Sequence, residues 1–357
     1  MTSVGASDLL ERSNQTRYDR GVARRSAPTI RDVAEQAGVS KSLVSLVMQN
    51  APNVSDHNRQ RVLTVARELG YRPNAAARSL VRQRSFLIGV LVSDFGNPFF
   101  AELLEGIEEA AVTAEYRALF NTGSRVAERE LIALEALLQL RTDGLILASP
   151  RFSDGELDRV PRGIPIVMVG RDTSATGVDV VMNDDGRGSE LIVDHLAGLG
   201  HRRIAHLHGG PGAGAKARLD GFLAAMERRD LEPIVFEAGF TERDGARAAE
   251  MLLQVGPLPT AVFAANDVAA MGAMRVLEAA GLRIPEDVSL VGYDNVDFSG
   301  LGHIALTTVD QPRRRIGTLA VEMMIDRIDG RRTKRRRVTV DPTLVERSTT
   351  APPRTGE

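Results

Sequence analysis

The 357-residue chain contains no cysteine, which excludes disulfides, zinc–thiolate centres and a cysteine nucleophile. It has no apolar run approaching about 18 residues, so no segment reads as a membrane-spanning helix. Its first residues, Met1 to Asp8, lack a basic stretch followed by an apolar core and do not read as a signal peptide. The protein is therefore expected to stay in the cytoplasm. Lysine is scarce: only Lys41, Lys216 and Lys334 occur, and every other basic residue is arginine. With the abundant alanine and glycine, this bias reads as codon usage rather than chemistry. What remains, 43% hydrophobic and 26% charged, is the composition of a soluble globular protein of about two or three domains.

The formal net charge of −2 conceals an asymmetry. Residues 1–90 carry 14 Arg/Lys against 7 Asp/Glu, and the remainder carries 31 against 40. A head of +7 on a body of −9 predicts a nucleic-acid-binding module joined to a part that avoids nucleic acid.

Residues 1–27 are polar and arginine-rich without apolar periodicity, and read as a disordered leader. Over residues 28–70 the pattern tightens into three short helices. Thr29 with Asp32 three residues on predicts a capping-box start, and Ile30, Val33, Ala34 and Ala37 share one face. Gly38 ends that helix, and Ser40 caps a second running from Lys41 to about Met48. Two such helices joined by a glycine turn form a helix-turn-helix. A third follows Val54-Ser55 and brings Val62, Val65, Ala66 and Leu69 to the small core. Residues 71–84, reset by Pro73, have helix formers but too few apolar residues for a core, and read as a linker that becomes helical against a partner surface. From residue 85 to about 348, apolar strands alternate with helical stretches. These predict parallel sheets with helices on both faces, in two doubly wound lobes. Residues 349–357 read as a disordered tail.

Several words of this sequence resemble the LacI family of transcription factors, which includes the lactose and purine repressors. They are Ile30-Arg-Asp-Val-Ala34, Ala37-Gly-Val-Ser40, Leu69-Gly-Tyr-Arg-Pro-Asn74 and Ala77-Arg-Ser-Leu80, then Asn97-Pro-Phe-Phe-Ala101, Arg218-Leu-Asp-Gly-Phe222, Asn266-Asp267 and Val288-Ser-Leu-Val-Gly-Tyr-Asp294. The resemblance spans about residues 28 to 348. It implies an α-helical reading head with a hinge helix, and a body like a two-lobed periplasmic binding protein. The function implied is an effector-responsive, sequence-specific DNA-binding repressor that controls carbohydrate-utilisation genes.

In that family the second helix enters the major groove. Thr29, Lys41, Ser42, Ser45 and Leu46 then face DNA, with Lys41 able to donate to guanine O6 and N7. Leu46 stands where relatives often carry a longer polar reader, so it would contact a thymine methyl or exclude mismatched bases. The hinge implies Asn74, Ala77, Arg78 and Leu80 on DNA, with Leu80 as an apolar wedge in the minor groove. Two hinges must meet, which implies a homodimer on a roughly palindromic operator in double-stranded DNA. Arg59, Arg61, Arg72, Arg82 and Arg84 are candidates for phosphate contacts or plain solvated arginines.

For the body, the resemblance implies an effector cleft lined by Phe99, Arg218, Phe240, Asn266 and Asp294, with Arg171 as a further candidate. Aromatic faces together with Asp, Asn and Arg suit a sugar or polyol, although Phe99 and Phe240 also suit a core, and Asp294 a turn. The loop Gly209–Ala217 lacks the polar side chains of well-known members, which does not support a purine, and lacks the Gly-Lys-[Ser/Thr] of a phosphate loop. Neither a catalytic constellation nor a cofactor or metal set emerges. His206 and His208 share a strand face but read as structural histidines, and Arg331–Arg337 as a solvated connection after a helix. The tail after Arg347 has no leucine heptads, which argues against a lactose-repressor-style tetramer. The competing classes are a transport binding protein, which would carry a signal peptide and no helix-turn-helix, and a sugar-modifying enzyme, which would need a nucleophile–base pair or a metal.

Overall fold

The computed structural model describes residues 28–72 and 84–354, in two compact units comprising residues 1–83 and 84–357. The leader 1–27 and the hinge residues Asn74, Ala77, Arg78 and Leu80 lie outside the described residues.

In the first unit α1 (Ile30–Gln36), α2 (Lys41–Met48) and α3 (Asp56–Leu69) enclose one small core. Helices of 7 and 8 residues are too short to persist alone, so packing holds them. Val33, Ala37, Val44, Val47, Val62 and Ala66 supply the buried side chains. The Thr29–Asp32 capping box is complete, and the Ser40 hydroxyl accepts from the Leu43 N–H at 3.1 Å. Gly38 has φ +60, the left-handed conformation that favours glycine, and this sets the turn between α1 and α2.

The second unit holds two sheets. In the first lobe β1 (Leu87–Val92), β2 (Arg117–Thr122), β3 (Gly144–Ala148), β4 (Ile166–Val169), β5 (Val178–Asn183) and β11 (Arg337–Val340) lie in the order β11-β5-β4-β3-β1-β2, all parallel. Alternation along β1 sends Ile88, Val90 and Val92 to α4 (Phe99–Thr113) and α10 (Arg313–Ile328), and Leu91 to α5 (Ala127–Gln139). Both faces are apolar because both are covered.

The second lobe has β6 (Ile204–His208), β7 (Ile234–Glu237), β8 (Ala261–Ala264) and β9 (Ser289–Val291) in the order β7-β6-β8-β9. Parallel bridges at Val291–Thr307 and Asp294–Asp310 link β9 to β10 (Thr308–Asp310), which pairs antiparallel with β12 (Thr343–Val345). α6 (Asp185–Gly198) and α7 (Ala215–Glu227) cover one face, and α8 (Glu242–Leu252) and α9 (Asp267–Ala279) the other. The chain crosses between lobes after β5, between β10 and α10, and between β11 and β12.

α8 is a helix with its own Thr241–Asp244 capping box, and its buried face is built mostly from small residues, Gly245, Ala246, Ala248 and Ala249, with Leu252. The strands β10 and β12 have 3 residues each, too few for a period to show. Residues 349–354 are not the disordered tail expected of them: Thr349 is buried, its carbonyl accepts from Leu290 N–H at 2.8 Å, and its hydroxyl donates to Leu290 O at 2.7 Å. The physical reason is that the edge of β9 needs partners for its backbone groups, and this segment supplies them.

α8 and α9 meet backbone to backbone. A Cβ on Gly272 would lie 1.9 Å from Glu242 O, and one on Gly245 1.9 Å from Ala269 O. Gly272→Ala is therefore expected to force the helices apart and cost about 1–3 kcal/mol in urea unfolding. Gly302→Ala, facing open space, should stay within about 0.5 kcal/mol.

Candidate functional site

Strand ends of both lobes converge on one cleft. Ser93 follows β1, Ser149 follows β3, Asn183 ends β5, Gly212 follows β6, Phe240 follows β7 and Asp294 follows β9; all line it. Doubly wound lobes put ligands there because loops leave the carboxyl ends of parallel strands on one side.

The floor of the cleft is charged and buried. Arg218, in the first turn of α7, donates from Nε to Asp185 Oδ1 at 3.0 Å and from Nη1 to Ala265 O at 2.6 Å. Its Nη2 lies 3.7 Å from Asp294 Oδ1, and its guanidinium carbon stacks 3.7 Å from the Tyr293 ring centre. Burial by itself disfavours the Arg218 cation, but the carboxylates of Asp185 and Asp294 outweigh it and hold its pKa above the usual arginine range. Burial pushes the Asp294 carboxyl up to about 6 even though Arg218 and Arg313 pull it down. Gln311 Nε2 donates to Asp294 Oδ1 at 2.6 Å. The Asp294 backbone sits at φ +117, a strained conformation for a side-chain-bearing residue and of the kind kept at working sites.

Aromatic rings come from both lobes. Phe99 opens α4 behind Pro98, its N–H donating to Asn97 Oδ1 at 3.0 Å. Phe240 leans over the glycine loop: a Cβ at Gly212 would lie 2.2 Å from its ring, so only glycine lets the ring settle there.

Of the sequence-predicted residues, Phe99, Arg218, Phe240 and Asp294 line this cleft. Asn266 and Arg171 do not. Asn266 is fully buried, caps α9 through Ala269 N–H at 2.9 Å, and donates from Nδ2 to Phe240 O at 3.3 Å, so it holds the ring's backbone from behind. Arg171 donates to Asp154 Oδ1 at 2.7 Å and to Phe152 O at 3.2 Å, and lines a neighbouring recess. A strand end points towards the cleft, but whether the next side chain reaches it depends on contacts that local sequence does not encode. Sequence reasoning missed Asp185, Asn183, Arg125, Arg151 and Gln311, which also line the cleft. The signal for Asn183 and Asp185 was present, since both sit where β5 gives way to a helix.

In the first unit, Lys41, Ser42 and Leu46 lie exposed on α2, opposite the buried Val44 and Val47. Ser45 is half-buried and its hydroxyl accepts from Gln49 Nε2 at 3.0 Å. Thr29 is exposed at the start of α1, its hydroxyl engaged in the cap. Two arginines offered for phosphate are tied elsewhere. Arg59 donates to Asn50 Oδ1 at 2.7 Å and Ala51 O at 2.5 Å, and Arg84 donates to Asp329 Oδ1 at 2.8 Å.

His206 is a core histidine. Its ring stacks on Phe263 at 4.2 Å, and burial lowers its pKa to about 3. The basic run is more than a solvated connection: Arg332 forks onto the buried Asp179 at 3.0 and 2.5 Å, and Arg335 and Arg337 pair with Asp172. Among the described residues no helix is long and apolar enough to cross a membrane.

A family model for bacterial regulatory proteins of the lacI family matches residues 29–74, and one for a periplasmic binding protein-like domain matches residues 193–350. The chain is 34% identical to the HTH-type transcriptional repressor PurR of Erwinia tasmaniensis over 333 residues, 90% of this chain and 97% of that protein. It is 33% identical to the ribose operon repressor of Halalkalibacterium halodurans over 323 residues, again 90% and 97%. Among solved structures, the lac repressor dimer bound to operator and the anti-inducer ONPF aligns with a TM-score of 0.81 at 32% identity, covering 91% of this chain and 99% of that one. Identity of this extent, over the helical head and the two-lobed body alike, means that the chain belongs to the LacI family of DNA-binding transcriptional repressors and is not an enzyme.

Proposed function

We propose that the protein represses carbohydrate-utilisation genes and that its effector is a small sugar or polyol. The observation that carries this reading is the cleft floor: two buried carboxylates, Asp185 and Asp294, flank one guanidinium between aromatic rings from opposite lobes. Carboxylates accept hydrogen bonds from vicinal hydroxyls, a guanidinium donates to hydroxyl or ring oxygens, and a phenyl face covers the C–H side of a sugar ring. The loop Gly209–Gly214 offers no polar side chain to read the edge of a nucleobase. The ribose operon repressor among the relatives is consistent with a pentose-sized ligand.

At the other end, Lys41, Ser42, Ser45 and Leu46 of α2 read the major groove, Thr29 supports the approach, and the hinge around Asn74, Ala77, Arg78 and Leu80 enters the minor groove of a roughly palindromic operator as a homodimer. Effector binding changes the relation between lobes and thereby operator affinity. Thermal-shift measurement on the full-length protein tests the effector class. A sugar or polyol at about 100 times its Kd should stabilise the protein by about 2.7 kcal/mol, a rise of about 5–10 °C. If hypoxanthine or guanine raises the melting temperature and D-ribose, D-glucose and ribitol do not, the carbohydrate reading fails.

A further inference from the structure

Behind Asp294 stands a second carboxylate with no assigned role. Asp267, the first residue of α9, is fully buried, and among the described residues its hydrogen-bond donors are neutral: Val296 N–H to Oδ2 at 2.9 Å and the Thr308 hydroxyl to Oδ1 at 2.6 Å. Its own N–H donates to Tyr293 O at 2.8 Å. Asp267 thus braces, from both backbone and side chain, the 293–296 turn that holds Asp294 at φ +117 and Asn295 at φ +55.

The charges around this turn do not balance. Asp185 from α6, Asp267 from α9 and Asp294 after β9 are all buried, against two buried guanidinium groups, Arg218 from α7 and Arg313 from α10. Arg218 is committed to Asp185 and Ala265 O. Arg313 is shared with Glu102 of α4 at 2.9 Å, Asp310 at 3.9 Å and Asn295 O at 2.7 Å. Asp267 therefore has no ion-pair partner among the described residues. A buried carboxylate without a cation, beside a second carboxylate, retains a proton.

We propose that Asp267 carries the single proton of a buried Asp267–Asp294 pair just below neutral pH, so that Asp294 is the member that presents negative charge to the cleft. Asp267 is then a positioning residue: it touches no effector, but it sets the shape of the turn and the charge state of Asp294. The titration order agrees. Burial, then the neighbouring Asp294, push Asp267 up to about 7, whereas Asp294, relieved by Arg218 and Arg313, rises only to about 6. The purpose assigned to that charge, accepting effector hydroxyls, rests on the reading above. The existence of the pair does not.

Infrared titration of the full-length protein carrying ¹³C-labelled aspartate carboxyls tests the pair without a ligand. The wild type should keep a protonated-acid carbonyl band that bleaches as pH rises through about 7. Asp267→Asn, which mimics the neutral form, should lack that band while Asp294 still titrates near its wild-type midpoint. Asp294→Asn removes the neighbouring charge and should move the Asp267 midpoint down by about one pH unit. If Asp267→Asn does not fold, Thr308→Val serves instead: loss of a donor to the carboxylate should move the midpoint upward. Absence of any aspartate band at pH 6.5, a band component bleaching near pH 7 that survives Asp267→Asn, or (where that variant does not fold) a midpoint unmoved by Asp294→Asn or Thr308→Val overturns the proposal. D-ribose affinity across the same pH range reports separately. It should fall up to about tenfold per pH unit as pH drops below about 6, because Asp294 then protonates. A pair that titrates as described in a protein that ignores D-ribose would leave the proton assignment standing and count against the pentose reading alone.

Discussion

Arg218→Ala is expected to destabilise the body by about 3–5 kcal/mol and to abolish the effector response. The side chain is buried between Asp185 and Asp294, so its removal leaves Asp185 without its guanidinium partner and Asp294 with Arg313 alone. It also removes the plane that stacks on Tyr293. Arg218→Lys should recover part of the stability, because the charge returns, but not the response, because an ammonium lacks the fork that donates to Asp185 and Ala265 O at once. Arg314 supplies the contrast. It pairs with Glu105 and Glu109 on the surface, half exposed, and Arg314→Ala should leave the urea midpoint nearly unchanged. Urea midpoints of the three variants check the ranking; equal losses for Arg218 and Arg314 would show that burial does not govern the cleft pair.

Operator affinity is expected to fall about 10³-fold or more when monovalent salt rises from 50 to 200 mM. The head carries the excess of arginine, and each phosphate it neutralises releases counterions, whereas the acidic body contributes no attraction. Lys41→Ala should cost about 1–3 kcal/mol at the base pair it reads and relax the preference there. An arginine on phosphate would instead weaken all sequences alike. Fluorescence anisotropy over a salt series with operator and scrambled DNA separates the two. A flat salt dependence would rule out a phosphate-based head.

Much of this was legible in the sequence because it is local. The Thr29–Asp32 cap, the glycine at position 38 and the face of Val33, Ala34 and Ala37 involve residues within one or two turns of each other. The strands β3 and β8 are short, continuous apolar runs, legible from residue type alone. Phe99, Arg218 and Asp294 could be named because family words fix their positions along the chain, and Phe240 because the resemblance implies an aromatic there. Asn266 and Arg171 show where that stops: both follow strands, yet one turns back to cap a helix and the other turns aside to Asp154.

The sequence by itself determined the division into a basic head and an acidic body, the helix-turn-helix, the two-lobed parallel architecture and the family. Each of these follows from composition, period or contiguous motif. The tertiary structure alone decided that Asp185, far from Arg218 along the chain, becomes its partner, and that Asp267 braces the turn of Asp294 through neutral donors. It also decided that residues 349–354 complete the edge of β9. Charge balance and burial are properties of what surrounds a group in space. In a chain that crosses between its lobes after β5, before α10 and after β11, neighbours in space come from distant parts of the sequence.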